Sequence, residues 1–438
     1  MQKGRKEFME AARWSAFFAL DSLKKSGMKE MYEKDADAWR FGTSEAETEE
    51  KIRKVLEHAR TTCPFYRNIR EGAVLQDFPV VNKETIRSHY DDFLSPDFAK
   101  AKGTRQQSTS GSTGTPITIY QDLYKANHDQ ADGIFLGALA GYYIGQKMAF
   151  VRVWVHNIVK SRLELLAENF IMMDGSHLDD VSIADMLETI RRKHVKCIIG
   201  YSSALTEFCR YLESNEPDMS GFEVSSIIPI SESMLPEVRK KLSEMFDCPV
   251  RSWYSDEECG IMGVQEKDSE RYYINSESYH YEILKPDSDE AAEEGEVGRI
   301  VITDLNNYAM PLIRYDTGDL AKAEKVEKDG RYKFYLTELY GRRGDMLYDT
   351  QGRIMTPMVI SLNLWDVKGI RQYQFIQTGE KEYELHLNAD PEAVDLSMIT
   401  GRLQPYFGTD AVLKAEFVDE IPVLSSGKRK YTLNTYRK

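Results

Sequence analysis

Between Met148 and Tyr254, short apolar runs alternate with stretches of helical spacing, and this alternation limits the possible folds more than any other feature. Met148–Val155 (MAFVRVWV), Val195–Gly200 (VKCIIG), Ser225–Ile230 (SSIIPI) and Pro249–Tyr254 read as strands. Ile183–Lys193, Thr206–Leu212 and Leu235–Phe246 read as helices, the last with Val238, Leu242 and Met245 at helical spacing. Strand, helix and strand in succession is the pattern of a parallel sheet. The expected class is therefore α/β with a largely parallel sheet.

The style differs on either side. The first hundred residues read as mainly helical, and Ser44 is placed to cap SEAETEEKIRKVLEHA, which carries Ile52, Val55 and Leu56 at helical spacing. After about residue 270, Tyr272–Ile283 and Gly298–Leu305 read as strands. Lys325–Leu336 reads as a hairpin around Asp329-Gly330, a strong turn dipeptide. Past Gly341 come strands at Arg371–Gln377, Glu382–Leu387 and Val412–Val418 and a helix at Pro391–Tyr406, together a small α+β domain. A boundary near Gly344 divides a large domain (1–343) from a small one (344–438).

A net charge of −14 disfavours general binding to nucleic acid or anionic membrane. Five cysteines, an odd number with no CxxC spacing, argue against a disulfide framework and for a reducing cytoplasm. Glu7, Glu10 and Arg13 interrupt the N-terminal apolar residues, which favours an amphipathic helix over a signal peptide. No run approaches the roughly 18 apolar residues of a membrane span.

The segment QSTSGSTGTPITIY (Gln107–Tyr120) admits two readings. Its composition is that of a solvated linker. Yet a strand-like run follows at once, and Pro116 stiffens the exit. Ser108, Thr109, Ser110, Ser112, Thr113 and Thr115 offer hydroxyls, and Gly111 and Gly114 allow close backbone approach. That combination suits a polyphosphate held by hydroxyls and backbone N–H groups. It is not a Walker loop, which needs a lysine after its second glycine.

In order along the chain, TSGSTGTP (Thr109–Pro116), WYSDEECG (Trp253–Gly260), IRYDTGDLA (Ile313–Ala321), GRRGDML (Gly341–Leu347) and LSSGKRKY (Leu424–Tyr431) resemble the motifs of the adenylate-forming ligase superfamily. Chain length and FPVVNKETIR (Phe78–Arg87) resemble its phenylacetate–CoA ligase-like branch, which includes capsule-biosynthesis relatives. The resemblance implies a large adenylation domain binding ATP and a carboxylic acid, and a small mobile domain carrying a lysine loop. The loop from Thr109 to Thr115 would grip β- and γ-phosphates. Asp319 would accept hydrogen bonds from the ribose hydroxyls, a carboxylate matching a vicinal diol.

Glu258 would meet Mg²⁺, with Glu257 as competitor, since hard cations take oxygen ligands. Tyr254 would pack on adenine beside Ser255, which replaces the family's usual glycine. Ser231-Glu232-Ser233 resembles the turn beside the adenine, again without its glycine, and reads equally well as a helix cap. Arg342 would approach the nucleotide, and Gly344-Asp345 stands at the hinge. Lys428, with Lys430 as neighbour, would be the catalytic lysine. Arg314 and Tyr315 admit structural readings. His156 and His280 are lone histidines, and Cys259 has no second cysteine nearby, so neither points to a structural metal. Asp287–Glu296 reads as a solvated acidic loop.

Those roles imply a ligase that uses ATP and Mg²⁺ to join a small carboxylic acid to CoA. Transfer to an amine during surface-polysaccharide synthesis is the alternative, and a non-catalytic nucleotide-binding homologue is a third reading. The branch commonly forms dimers.

Overall fold

The computed structural model describes residues 2–108, 117–152, 168–176, 178–343, 346–355, 358–364, 367–422 and 430–436. The Thr109–Thr115 loop, His156, Gly344, Asp345 and Lys428 lie outside the described residues. The chain divides into two compact units, Met1–Thr317 with Ala321–Glu338, and Gly318–Leu320 with Leu339–Lys438.

The larger unit begins with helices Gln2–Lys24, Met28–Phe41 and Glu45–Thr62. The Asp21 carboxylate accepts from the backbone N–H groups of Met28 and Lys29, both at 3.1 Å, and so satisfies donors that the second helix cannot pair internally. Ser44 caps the third helix by accepting from Glu47 N, as expected. The parallel sheet follows, in the order Phe170–Asp174, Met148–Arg152, Cys197–Tyr201, Ser226–Ile230, with all three pairings parallel. Helices Asp180–Lys193, Ser202–Asn215 and Pro236–Phe246 each bury an apolar stripe, for example Ile183, Leu187 and Ile190.

A second sheet has eight strands, seven of them in the order Tyr279–Leu284, Gly298–Asp304, Tyr315–Lys328, Arg331–Arg342, Tyr272–Ile274, Gly260–Gln265, Trp253–Asp256. Its eighth, Thr43–Ser44, pairs antiparallel with Arg331–Arg342. One buried cluster contains Phe135 and Leu136 from helix Leu123–Leu139, Cys197, Ile199 and Ile228 from the parallel sheet, and Val264, Tyr273 and Tyr335 from the second sheet. Each fully buried residue of this kind contributes roughly 1.5–3 kcal/mol.

The structure corrects four boundaries. Tyr272–Ile283 is two strands, because Asn275 closes a turn: its side-chain oxygen accepts from Glu277 N at 3.1 Å and its amide donates to Asp35 Oδ1. The strand expected at Pro249–Tyr254 is Trp253–Asp256, and Val250 makes only an isolated bridge to Ile227. The hairpin turns at Asp329-Gly330 as expected, both with positive φ, but its strands run from Tyr315 to Arg342. The helix expected from Pro391 begins at Leu396, where the Asp395 carboxylate accepts from Ser397 N and Met398 N.

In the smaller unit, strands Val412–Phe417, Glu382–Ala389, Ile370–Gln377 and Thr432–Asn434 form a mixed sheet in that order. Phe375, Tyr383, Leu385 and Leu387 from the sheet bury against Ile399, Leu403 and Phe407 of helix Leu396–Phe407.

Candidate active site

Glu258 sits in the turn between strands Trp253–Asp256 and Gly260–Gln265. The register slips between Tyr254 and Ser255, and Asp256 Oδ1 accepts from Cys259 N at 2.6 Å, closing the turn. Gly260 has φ +100°, and a Cβ there would meet the Asp129 carboxylate at 3.3 Å. The turn therefore favours glycine through its backbone, and a side chain there would press on Asp129. Tyr254 and Glu258 are buried, while Ser255 is half-buried.

Two donors converge on one oxygen of Glu258. Tyr315 donates its hydroxyl to Oε1 at 3.0 Å, and Lys83 Nζ lies 2.6 Å from the same atom. Burial, and next the Glu258 charge, push the Tyr315 phenol well up, so it stays a donor. Lys83 opens helix Lys83–Ser88, whose N-cap Asn82 accepts from Thr85 N at 2.9 Å. Just upstream, Val81 N donates to Arg314 O at 3.0 Å and Asp316 N donates to Val81 O at 2.8 Å. Backbone bonds thus lock FPVVNKET and IRYDTGDL together, which is why Lys83 and Tyr315 reach one carboxylate.

Glu257 is placed differently. Its Oε2 accepts from Gln107 Nε2 at 2.8 Å. Gln107 lies on strand Arg105–Ser108, paired antiparallel with Thr118–Gln121 so that Ser108 faces Thr118. The ends of the Ser/Thr/Gly segment are thereby held side by side, next to Glu257.

The helix that follows, Leu123–Leu139, carries a wholly buried lysine. Lys125 Nζ lies 2.8 Å from Asp129 Oδ1 and from Asp304 Oδ2, and donates to Tyr279 Oη at 2.8 Å and Cys259 O at 3.1 Å. Burial opposes its charge, but Asp129 and Asp304 outweigh burial and hold the pKa above that of an ordinary lysine. Through the Cys259 carbonyl this lysine fixes the residue next to Glu258.

Ser231 follows strand Ser226–Ile230 in the left-handed region, at φ 71°. The missing glycine is thus replaced by a residue held in a glycine-like conformation. Glu232 acts as a cap, but for a helix earlier in the chain: its Oε2 accepts from Ser203 N at 2.9 Å and its carbonyl from Ser202 Oγ at 2.7 Å. Helix Pro236–Phe246, which follows it, has no side-chain N-cap.

Arg314 is pinned by side-chain bonds within the larger unit. Its guanidinium makes two bonds of 3.0 Å to Glu282 and one to Phe78 O, and its own φ is 49°. In the smaller unit, Arg342 Nε lies 3.3 Å from Asp319 Oδ1, and Gly318 and Gly341 both have positive φ. Lys430 accepts at its carbonyl from Gln374 Nε2 at 2.9 Å. Burial pushes the lone His280 down to about 4, leaving it neutral.

Lys83 and Lys125, which hold the Glu258 turn, are two residues that sequence reasoning missed. Lys83 had a signal, since FPVVNKETIR already marked the branch. Lys125 had only an Asp four residues on, which is ordinary on a helix surface.

Residues 347–435 match the family model of the CapK C-terminal domain. Protein CapK of Staphylococcus aureus is 23% identical over 381 residues, covering 83% of this chain and 81% of that protein. Phenylacetate-coenzyme A ligase of Thermus thermophilus is 23% identical over 356 residues, covering 76% and 78%. A solved 2-hydroxyisobutyryl-CoA ligase, in the postadenylation state with R3-HIB-AMP, superposes with TM-score 0.69 at 16% identity and 91% coverage of each chain. ATP-bound MatB from Rhodopseudomonas palustris gives TM-score 0.52 at 15% identity, covering 74% and 66%. The fold is that of the adenylate-forming ligases, and the chain's homologues include CapK and the phenylacetate-CoA ligases.

Proposed function

We propose that this chain is an AMP-forming carboxylate-activating ligase. A carboxylate oxygen of the acid attacks the α-phosphorus of ATP. The bond from that phosphorus to the bridging oxygen breaks, and pyrophosphate leaves with the electron pair. The CoA thiol, losing its proton, then attacks the acyl carbon and expels AMP. The observation that carries this reading is the lock between segments: Lys83, Glu258 and Tyr315 come from three of the motif-bearing stretches and meet on one carboxylate.

In this reading the hydroxyls and amides of Thr109–Thr115 hold the β- and γ-phosphates, and Tyr254, Ser231 and Glu232 border the adenine. Asp319 accepts from the ribose, oriented by Arg342. The small unit delivers Lys428 to the charge that develops as pyrophosphate departs, and Gly344-Asp345 lets it turn for the second step. Glu258 fits Mg²⁺ that arrives with ATP, because such sites use one or two carboxylates with phosphates and waters. Among the described residues no group of three or more His, Cys, Asp or Glu could hold a metal unaided. Bound there, Mg²⁺ would neutralise phosphate charge. No described helix is long and apolar enough to cross a membrane.

A second reading keeps adenylation and gives the acyl group to an amine in surface-polysaccharide synthesis. The match of residues 347–435 to the CapK C-terminal domain favours it. Acid-dependent AMP release separates the two: a requirement for CoA supports the thioester route, and a requirement for an amine in its place supports the amide.

A further inference from the structure

We propose that Lys83 is the resident counter-ion of Glu258, surrendering that carboxylate to the divalent cation when metal and ATP arrive together and moving its ammonium to a phosphate oxygen. The inference rests on the adenylating reading above and concerns how metal and nucleotide are coupled.

The Glu258 side chain is 2% exposed, so water cannot solvate its charge. A buried carboxylate left without a partner is strongly destabilising. Tyr315 supplies one hydrogen bond but no charge. Lys83 supplies the charge at 2.6 Å, on the same oxygen. With two donors on Oε1, that oxygen can serve a metal only if one donor leaves. Tyr315 is wholly buried in its strand, whereas the Lys83 side chain is 23% exposed at the start of a six-residue helix. Lys83 is the partner free to swing, because its backbone is anchored through Asn82 and Val81 while its four-carbon stem is flexible.

The exchange has a direction. Without a triphosphate, a displaced Lys83 ammonium exchanges the Glu258 carboxylate for water alone, so metal alone competes poorly for Glu258. With a triphosphate present, Glu258 would hold the metal while the Lys83 ammonium would pair with a phosphate oxygen. Lys83 therefore makes metal and ATP bind as a unit and discriminates ATP from AMP. It is a positioning residue through Glu258 and a ligand-binding residue in the loaded state.

The test uses the full chain with Mn²⁺ as the metal probe, followed by electron paramagnetic resonance, and titration calorimetry with ATP and AMP. In Lys83→Met, Mn²⁺ alone should bind about tenfold more tightly than in the wild type, and the preference for ATP over AMP should fall on the order of tenfold, the loss of one charge-assisted hydrogen bond. Lys83→Arg should keep the ATP preference. Lys83→Gln, which retains a donor to Glu258, takes the place of Lys83→Met if melting curves show that variant unfolded. Unchanged Mn²⁺ affinity together with an unchanged ATP-to-AMP ratio overturns the proposal, as does weaker Mn²⁺ binding. A wild type that binds no ATP with any metal instead overturns the adenylating reading itself.

Discussion

Arg342 Nε and Asp319 Oδ1 meet at 3.3 Å, each residue placed by a neighbouring glycine of positive φ. Asp319 is mostly buried, so its carboxylate is held in one place by this contact and by its strand. In the proposed function it faces two ribose hydroxyls. Asp319→Ala should reduce kcat/KM for ATP by roughly 10- to 100-fold, in line with losing hydrogen bonds to a charged acceptor. Kinetics with 2′-deoxy-ATP check the assignment: the wild type should lose activity with that analogue, and the variant should hardly distinguish it from ATP.

Lys125 neutralises Asp129 and Asp304 inside the larger unit. Lys125→Met leaves both carboxylates buried without their cation, so it should cost about 3–5 kcal/mol of stability, the usual effect of breaking a buried ion pair from one side. Chemical denaturation measures it. A loss under about 1 kcal/mol, the range of exposed pairs, would show that the cluster is solvated.

The buried carboxyls of Asp35 and Asp132 act on each other between helices Met28–Phe41 and Leu123–Leu139. Burial raises both carboxyls, Asp35 well above the usual range and Asp132 to about 7. Asn275 and Ser278 donate to the pair, Lys125 favours its charge, and Asp129 and Glu277 oppose it. The folded protein holds a proton here that the unfolded chain releases near pH ~4. The stability contributed by Asp132 therefore falls as pH rises from about 4 to 7, and Asp35, raised further by burial, acts in the same direction. Asp132→Asn, whose amide can still donate to Asp35, should flatten that slope and stabilise the protein above pH 7 relative to wild type. Melting curves across pH would show it.

The sequence made the α/β layers legible because their helices and strands obey single periods: Val238 and Leu242 sit on the buried face of their helix, as their spacing requires. It lost Tyr272–Ile283 because Asn275 and Ser276 are polar yet buried, and only their long-range partners explain them. The motif order pointed to Glu258 and Asp319, but not to what holds them. Lys83 precedes Glu258 by well over a hundred residues, and nothing local shows that Val81 pairs beside Arg314 and Tyr315. Likewise, a serine at Ser231 looked like a departure from a glycine turn, when its backbone adopts that turn regardless.

Ser231 gives a stability prediction. A non-glycine residue in the left-handed region costs about 1–2 kcal/mol, while glycine adds about 0.5–1 kcal/mol of backbone entropy. Ser231→Gly should therefore be neutral or slightly stabilising, and Ser231→Val clearly destabilising. A destabilised glycine variant in thermal melts would mean that the serine hydroxyl, rather than the backbone, maintains the turn.

Exchange of labelled pyrophosphate into ATP across a panel of acids measures adenylation of a carboxylic acid without assuming the acceptor. Exchange should depend on one class of acid and on a divalent cation, and Lys428→Ala should largely abolish it. Absence of exchange with every acid, in a protein that folds and binds ATP, would contradict adenylation by this chain.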